Sequence, residues 1–116
     1  MPEEELYNTK TIIQTHHADA EFVKYMISLF LEHIPKTNAD LKKASDAKDW
    51  EAVYFSAHKI KASIDLFNLG PLKDLIRKVE YKVKNKTETD TIADDVNFIS
   101  DYINKSIAAM KEDFNL

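Results

Sequence analysis

The chain has 116 residues, with one glycine, three prolines, no cysteine and a net charge of −4. This length fits one domain over residues 1–116, and the scarcity of glycine and proline favours helices over the many turns of an all-β fold. The absence of cysteine excludes disulfides and thiolate metal sites, and the negative charge argues against nucleic acid as the main partner.

The chain begins with an acidic segment, Met-Pro-Glu-Glu-Glu. This segment lacks the basic and apolar regions of a signal peptide, and no later stretch has membrane-spanning length. We therefore expect a cytoplasmic protein without a membrane partner. A short helix is expected over residues 9–16, capped by Asn8 or Thr9, with Ile12 and Ile13 facing inward.

A long helix is expected to begin at Asp19 and to run to about Ala47. Pro35 falls inside it and removes one backbone donor, so we expect a bent helix rather than two separate ones. The apolar stripe of this helix includes Phe22, Met26, Leu29, Phe30, Leu41 and Ala44.

The next helix follows a break at residues 46–49, where Asp49 is a suitable N-cap. Its apolar residues recur at spacings of three and four, which places them on one face. On the same helical wheel His58 points about 120° away from the centre of that face, so its side chain is predicted to be exposed. The apolar face consists of Trp50, Val53, Ala57, Ile60, Ile64 and Phe67.

The surface around His58 combines a cation with small and apolar groups. Lys61 and Ala62 stand three and four residues after His58, so the three side chains share one patch. Large apolar side chains grouped around an exposed histidine indicate either a docking surface or a chance grouping of exposed apolar residues. The candidate docking residues are Phe55, Lys59, Ala62 and Leu66.

Asn68 and Gly70 are expected to end this helix, and Pro71 suits the first turn of the next one. A polar loop over residues 85–90 precedes a last helix from about Thr91 to Phe114. Four principal helices with short connections predict an all-α protein, an antiparallel up-down-up-down four-helix bundle with a short additional N-terminal helix. The inner faces of the last two helices contain Leu72, Leu75, Ile76, Val79 and Val83, and then Ile92, Val96, Ile99, Ile103 and Met110.

Basic residues are concentrated in the third principal helix. Between Leu72 and Lys86 six bases stand against two acids, and such a stripe is either a solvated helix face or a docking site. The bases are Lys73, Arg77, Lys78, Lys82, Lys84 and Lys86.

Several motifs stand in an order typical of one family. Phe-Leu-Glu-x-x-Pro stands at residues 30–35, Asp-Trp-Glu-Ala follows at 49–52, and Ala-His-x-x-Lys-x-Ser occupies 57–63. Leu72, Leu75 and Glu80 continue the pattern. The stretch from Phe22 to Glu80 resembles the histidine-containing phosphotransfer (HPt) domain of bacterial multistep phosphorelays.

Two positions depart from the family pattern. Ala62 and Asn68 stand where the family usually has glycine, four and ten residues after the histidine. Alanine still leaves space above the imidazole, although it restricts how closely a partner approaches, and asparagine tolerates the left-handed backbone of a helix end.

The resemblance implies that His58 is the phosphoacceptor, which takes a phosphoryl group from a receiver-domain aspartate and passes it to another receiver. The expected partners are receiver domains of response regulators or hybrid kinases, which bring the Mg²⁺. No cofactor or metal is expected on this chain, which we expect to be a monomer. Lys61 is expected to stabilise the phosphoryl group, since such transfer depends on positioning and charge neutralisation. Ser63 points away from His58 on the wheel and is expected to be structural.

An alternative is an inert helical adaptor that binds receivers without phosphotransfer. Ala62, in place of the usual glycine, is the feature that supports this alternative.

The remaining histidines lack a comparable setting. His16 and His17 are adjacent and point about 100° apart on a helix, with no third metal ligand evident, and His33 stands alone.

Overall fold

The computed structural model describes residues 5–17 and 19–116, and within them the regular structure is helical. In the described residues, four long helices follow a short one, and a 3-10 turn at Thr89–Thr91 precedes the last. The helices are α1 Lys10–His16, α2 Ala20–Asp46, α3 Trp50–Leu66, α4 Gly70–Lys84 and α5 Ile92–Phe114. None of these helices is long and apolar enough to cross a membrane.

Capping side chains mark where α2 and α3 begin. Asp19 accepts a hydrogen bond from the backbone N–H of Phe22, and Asp49 accepts one from that of Ala52. These contacts satisfy amides that have no partner within the helix, which confirms the expected start of α3 at Asp49. α2 continues without interruption through Pro35.

The core lies between the four long helices. α2 packs against α3 and α5, and α4 packs against the same two helices. Fully buried side chains come from each of the four, together with Ile12 of α1. The core positions expected for α5 are all buried, and those of α3 are buried except Trp50, which is half-buried. The most deeply buried side chains include Ile27, Leu41, Ile60, Ile64, Leu72, Ile76, Ile99, Ile103 and Met110.

Two expectations about side-chain direction are wrong. Ile13 was expected to face inward with Ile12, but 46% of it is exposed while Ile12 is fully buried. Consecutive residues on a helix point about 100° apart, so a two-turn helix buries one of the pair more easily than both. Leu66 was expected to face outward, but it is half-buried and packs against the core.

The N-terminal segment is tied to the end of α3 and to α5. The backbone N–H of Asn8 donates to the carbonyl of Phe67, and the hydroxyl of Tyr102 donates to the carbonyl of Leu6. Asn68 has a left-handed backbone, with φ of 54°, and its side-chain amide donates to Asn8 Oδ1 at 2.7 Å. The turn between α3 and α4 is therefore held from outside as well as by its own backbone.

Candidate functional site

The side chain of His58 lies on the outer surface of α3. It is 62% exposed, which agrees with its direction on the helical wheel. Ala57 before it is fully buried and Ile60 after it is almost so, so the backbone at this point is anchored in the core. The helix thus presents an accessible imidazole from a rigid support.

A buried carboxylate from α4 lies beneath the imidazole. His58 Nδ1 is 3.2 Å from Oε2 of Glu80, whose side chain is only 11% exposed. Lys61 Nζ lies 3.1 Å from Oε1 and 3.3 Å from Oε2 of the same carboxylate. Because an isolated buried charge is strongly unfavourable, the ammonium of Lys61 compensates the charge of this carboxylate.

The contact with Glu80 determines which ring nitrogen of His58 is available. An ionised carboxylate only accepts hydrogen bonds, so the hydrogen of a neutral imidazole lies on Nδ1. The lone pair then resides on Nε2, the other ring nitrogen. Glu80 therefore orients the ring and leaves the lone pair of Nε2 free of this contact.

A second ion pair fixes the register of α3 against α4. Arg77 of α4 makes a bidentate contact with Asp65 of α3, with distances of 3.3 Å from Nη1 to Oδ1 and 2.7 Å from Nη2 to Oδ2. These hydrogen bonds raise the pKa of the Arg77 guanidinium above its ordinary value. The pair lies one turn from Lys61, so it helps to keep Glu80 aligned with His58.

Two aromatic rings lie about one turn before the histidine on α3. The Tyr54 ring lies nearly parallel to the imidazole, with an interplanar angle of 8° and 6.1 Å between centroids. Phe55 is 65% exposed, and the ammonium of Lys59 lies 5.3 Å from the centre of its ring. A cavity of about 490 Å³ is lined by His58, Tyr54, Phe55 and Ala52, together with the acids Asp49 and Glu51. The imidazole thus borders a surface depression that has both aromatic and acidic walls.

The candidate docking residues fall into two groups. Phe55, Lys59 and Ala62 are exposed, as the sequence predicts. Leu66 differs from the expectation that it faces outward. Its side chain lies between α2 and α3 and lines a groove of about 170 Å³ with Met26 and other residues of α2. Its accessible part is therefore continuous with α2, not only with α3.

Ser63 lines the same groove between α2 and α3, which lies on a different side of α3 from Glu80. It is half-buried, and its backbone carbonyl accepts a hydrogen bond from the Phe67 amide. This position agrees with the expectation that Ser63 points away from His58.

Glu80 was the site residue that sequence reasoning did not single out. It entered only as part of the family pattern, although it stands four residues after Ile76 and directly after Val79, both fully buried. An acid at such a position is unusual, because carboxylates are seldom buried without a partner. That pattern was the available signal for a functional or paired carboxylate.

The other histidines are not part of this arrangement. His33 is 69% exposed and its only ion-pair partner among the described residues is Glu32, at 3.9 Å. His17 is exposed at the end of α1, and the side chain of His16 lies outside the described part of the structure. Within that part, no three His, Asp or Glu side chains are grouped as a metal site would require.

Comparison with known proteins gives one finding. The family model described as the Hpt domain matches residues 26–113, which include α3, α4 and nearly all of α5. No curated protein and no solved structure matches the chain. Domains of this family have a phosphotransfer role in phosphorelays and interact with receiver domains. Since the match covers three quarters of its length, the chain belongs to the Hpt domain family.

Proposed function

We propose that this protein is a phosphorelay intermediate, in which Nε2 of His58 accepts a phosphoryl group from a receiver-domain aspartate and passes it to a second receiver. The observation that carries the proposal is the contact of Nδ1 with Glu80 at 3.2 Å beneath an exposed imidazole. This contact supplies an oriented ring on a side chain that is 62% exposed, where a partner can approach.

The chemical step requires no general base on this chain. The lone pair of Nε2 forms the phosphorus–nitrogen bond while the bond from phosphorus to the aspartyl oxygen breaks, and the aspartate leaves as a carboxylate. The hydrogen on Nδ1 stays in place, so the ring gains positive charge as the bond forms. Glu80 stabilises that charge because its carboxylate lies within hydrogen-bonding distance of Nδ1.

Lys61 has two roles in this proposal. In the resting protein its ammonium neutralises Glu80. Its side chain is 29% exposed and shares the surface patch of His58, so it can also reach toward the oxygens of an arriving phosphoryl group. Phosphoryl transfer depends mainly on positioning and charge neutralisation, which is what such a lysine provides. The Mg²⁺ of the reaction belongs to the receiver, and this chain requires no cofactor.

The docking surface for the receiver consists of Phe55, Lys59, Ala62 and the accessible edge of Leu66. Support comes from the exposed ring of Phe55 and from the apolar groove that continues from Leu66 onto α2. A monomer is proposed, with one bundle over residues 1–116 whose long helices run up-down-up-down. The short connections between them, three residues from α2 to α3 and three from α3 to α4, favour antiparallel neighbours.

The test is transfer of radiolabelled phosphoryl from a phosphorylated receiver domain. Wild type and a His33→Gln control are expected to gain an acid-labile, alkali-stable label that His58→Gln lacks. Unchanged labelling of His58→Gln would exclude this histidine as the acceptor. Receiver binding by wild type without labelling from any receiver tested would favour the second candidate, an inert adaptor, for which Ala62 in place of the usual glycine is the supporting observation.

A further inference from the structure

A second cavity lies beside the His58 surface, between the first turns of α3 and the last turn of α4. Its volume is about 640 Å³, and its apolar walls come from Trp50, Tyr54 and Val83. Pockets that hold small organic molecules have volumes of about 300–1,000 Å³ and are mostly apolar with a few polar groups. The size and lining of this cavity therefore suit a ring-bearing small molecule.

The loop that forms one wall is held by hydrogen bonds within the chain. The backbone amide of Thr87 donates to the carbonyl of Lys82, and that of Lys86 donates to the carbonyl of Val83. Lys82 Nζ also contacts Thr91 Oγ1 at 2.8 Å and Asp95 Oδ2 at 2.6 Å. Because the wall is already ordered, a ligand would not have to order it on binding.

The charged residues at the rim of the cavity indicate the sign of the charge that a ligand would carry. Lys84 and Lys86 line the cavity together with a single acid, Glu51. Other bases of the same stripe are engaged within the molecule, Arg77 with Asp65 and Lys82 with Asp95.

Among the described residues, by contrast, neither Lys84 nor Lys86 has an ion-pair partner. The rim thus carries an excess of positive charge that one negative group on a ligand would balance.

The geometry points to a binding site for a small aromatic monoanion, a flat ring system with one carboxylate or sulfonate. The ring would lie against Trp50 and Tyr54, and the anionic group would face Lys84 and Lys86. Aromatic side chains favour such contacts because stacked or edge-on rings gain energy beyond the area they bury. This site is independent of phosphoryl transfer.

Tyr54 connects this cavity to His58. It lines both the 640 Å³ cavity and the depression around the histidine, and its ring is nearly parallel to the imidazole. A ligand in contact with the Tyr54 ring alters the position or the electronic environment of that ring. The imidazole of His58, which lies nearly parallel to it, is then affected as well. Occupation of the cavity is therefore expected to be detected at the imidazole.

The experiment is an NMR titration of the isotope-labelled full chain with 2-naphthoate and, separately, with its neutral amide. Naphthoate is expected to give saturable shifts at the Trp50 indole and Thr89 amide, and a smaller shift of the His58 ring. The double variant Lys84→Gln/Lys86→Gln is expected to bind naphthoate roughly five- to tenfold more weakly, as the loss of two exposed charge contacts predicts. The matched control Lys78→Gln/Lys105→Gln, with the same change in net charge, is expected to bind as wild type does.

Equal affinity for naphthoate and its amide in wild type would overturn the charge argument. Saturable shifts confined to the groove at Met26 and Leu66, or no saturable shift at all, would overturn the site. Shifts at Trp50 with none at His58 would overturn the link through Tyr54. Thr89→Trp provides a separate check, because an indole at the rim is expected to fill the cavity and abolish binding without removing a core side chain.

Discussion

His58 and Glu80 are 22 positions apart in the chain, yet Nδ1 of the one lies 3.2 Å from Oε2 of the other. The contact joins an exposed side chain of α3 to a buried one of α4. It places a fixed negative charge on the side of the ring opposite the nitrogen that would react. The histidine is thereby given an orientation and a tautomer that helix geometry alone does not provide.

The first prediction concerns Glu80. Glu80→Ala removes both the hydrogen-bond acceptor and the charge, and is expected to slow labelling of His58 by about 10- to 100-fold, as expected for loss of a charged hydrogen bond. Glu80→Gln keeps an acceptor but no charge, so a smaller decrease is expected. Initial rates of transfer from a phosphorylated receiver give the comparison.

A structural role for Glu80 is distinguished by a second measurement. The ¹⁵N shifts of the His58 ring report which nitrogen carries the hydrogen, and they are expected to show Nδ1–H in wild type and a mixture of tautomers in Glu80→Ala. An unchanged ring spectrum and rate in Glu80→Ala, with lower thermal stability alone, would contradict the positioning role.

The second prediction separates docking from folding. Phe55→Ala is expected to weaken receiver binding while changing the free energy of unfolding by no more than about 0.5 kcal/mol, because the ring is 65% exposed. Phe98→Ala is a matched control, since this phenylalanine is 53% exposed on α5, away from His58. Calorimetric titration with the receiver and denaturant unfolding give the two quantities. If the receiver binds the two variants with equal affinity, Phe55 is an ordinary exposed residue and not part of the docking surface.

Helical periodicity predicted most of the fold but not the contacts between helices. The core positions of α3 and α5 and the cap at Asp49 could be read from spacing and residue type, because these depend on one helix at a time. Leu66 was assigned the wrong environment because a helical wheel gives direction but not which neighbour covers the flank. Glu80 was missed for a related reason, since its pairing with His58 depends on the register of α3 against α4.

The third prediction concerns Asn68, which replaces a glycine usual in the family. Its backbone is left-handed, at φ of 54°, and its side chain contacts Asn8, Thr11 and Lys73. Asn68→Ala loses these hydrogen bonds and keeps the unfavourable backbone, which costs roughly 1–2 kcal/mol for a residue with a Cβ. Asn68→Gly loses the hydrogen bonds but removes that strain, so it is expected to be less destabilised than Asn68→Ala. Chemical denaturation measures both, and the reverse order would show that the backbone is not strained.

The last prediction uses Tyr7, whose hydroxyl donates to Asp113 Oδ2 at 2.6 Å. Burial first, and then the hydrogen bond and negative charge of Asp113, raise the pKa of Tyr7 above its ordinary value. The folded state therefore retains the phenolic proton at a pH where the unfolded chain releases it. The stability from this group is fully present below pH of about 10, the unfolded value, and declines as the pH rises above it.

Tyr7→Phe is expected to lower the free energy of unfolding by about 1 kcal/mol near neutral pH, the typical value of one hydrogen bond. Above pH of about 10 the difference from wild type is expected to shrink, because only wild type loses stability through this group. Tyr81→Phe, at an exposed tyrosine of α4, is expected to leave the free energy of unfolding near neutral pH unchanged. Urea unfolding of the three proteins between pH 7 and 11 measures the differences. A gap between wild type and Tyr7→Phe that stays constant across this range would show that the proton on Tyr7 is not linked to folding.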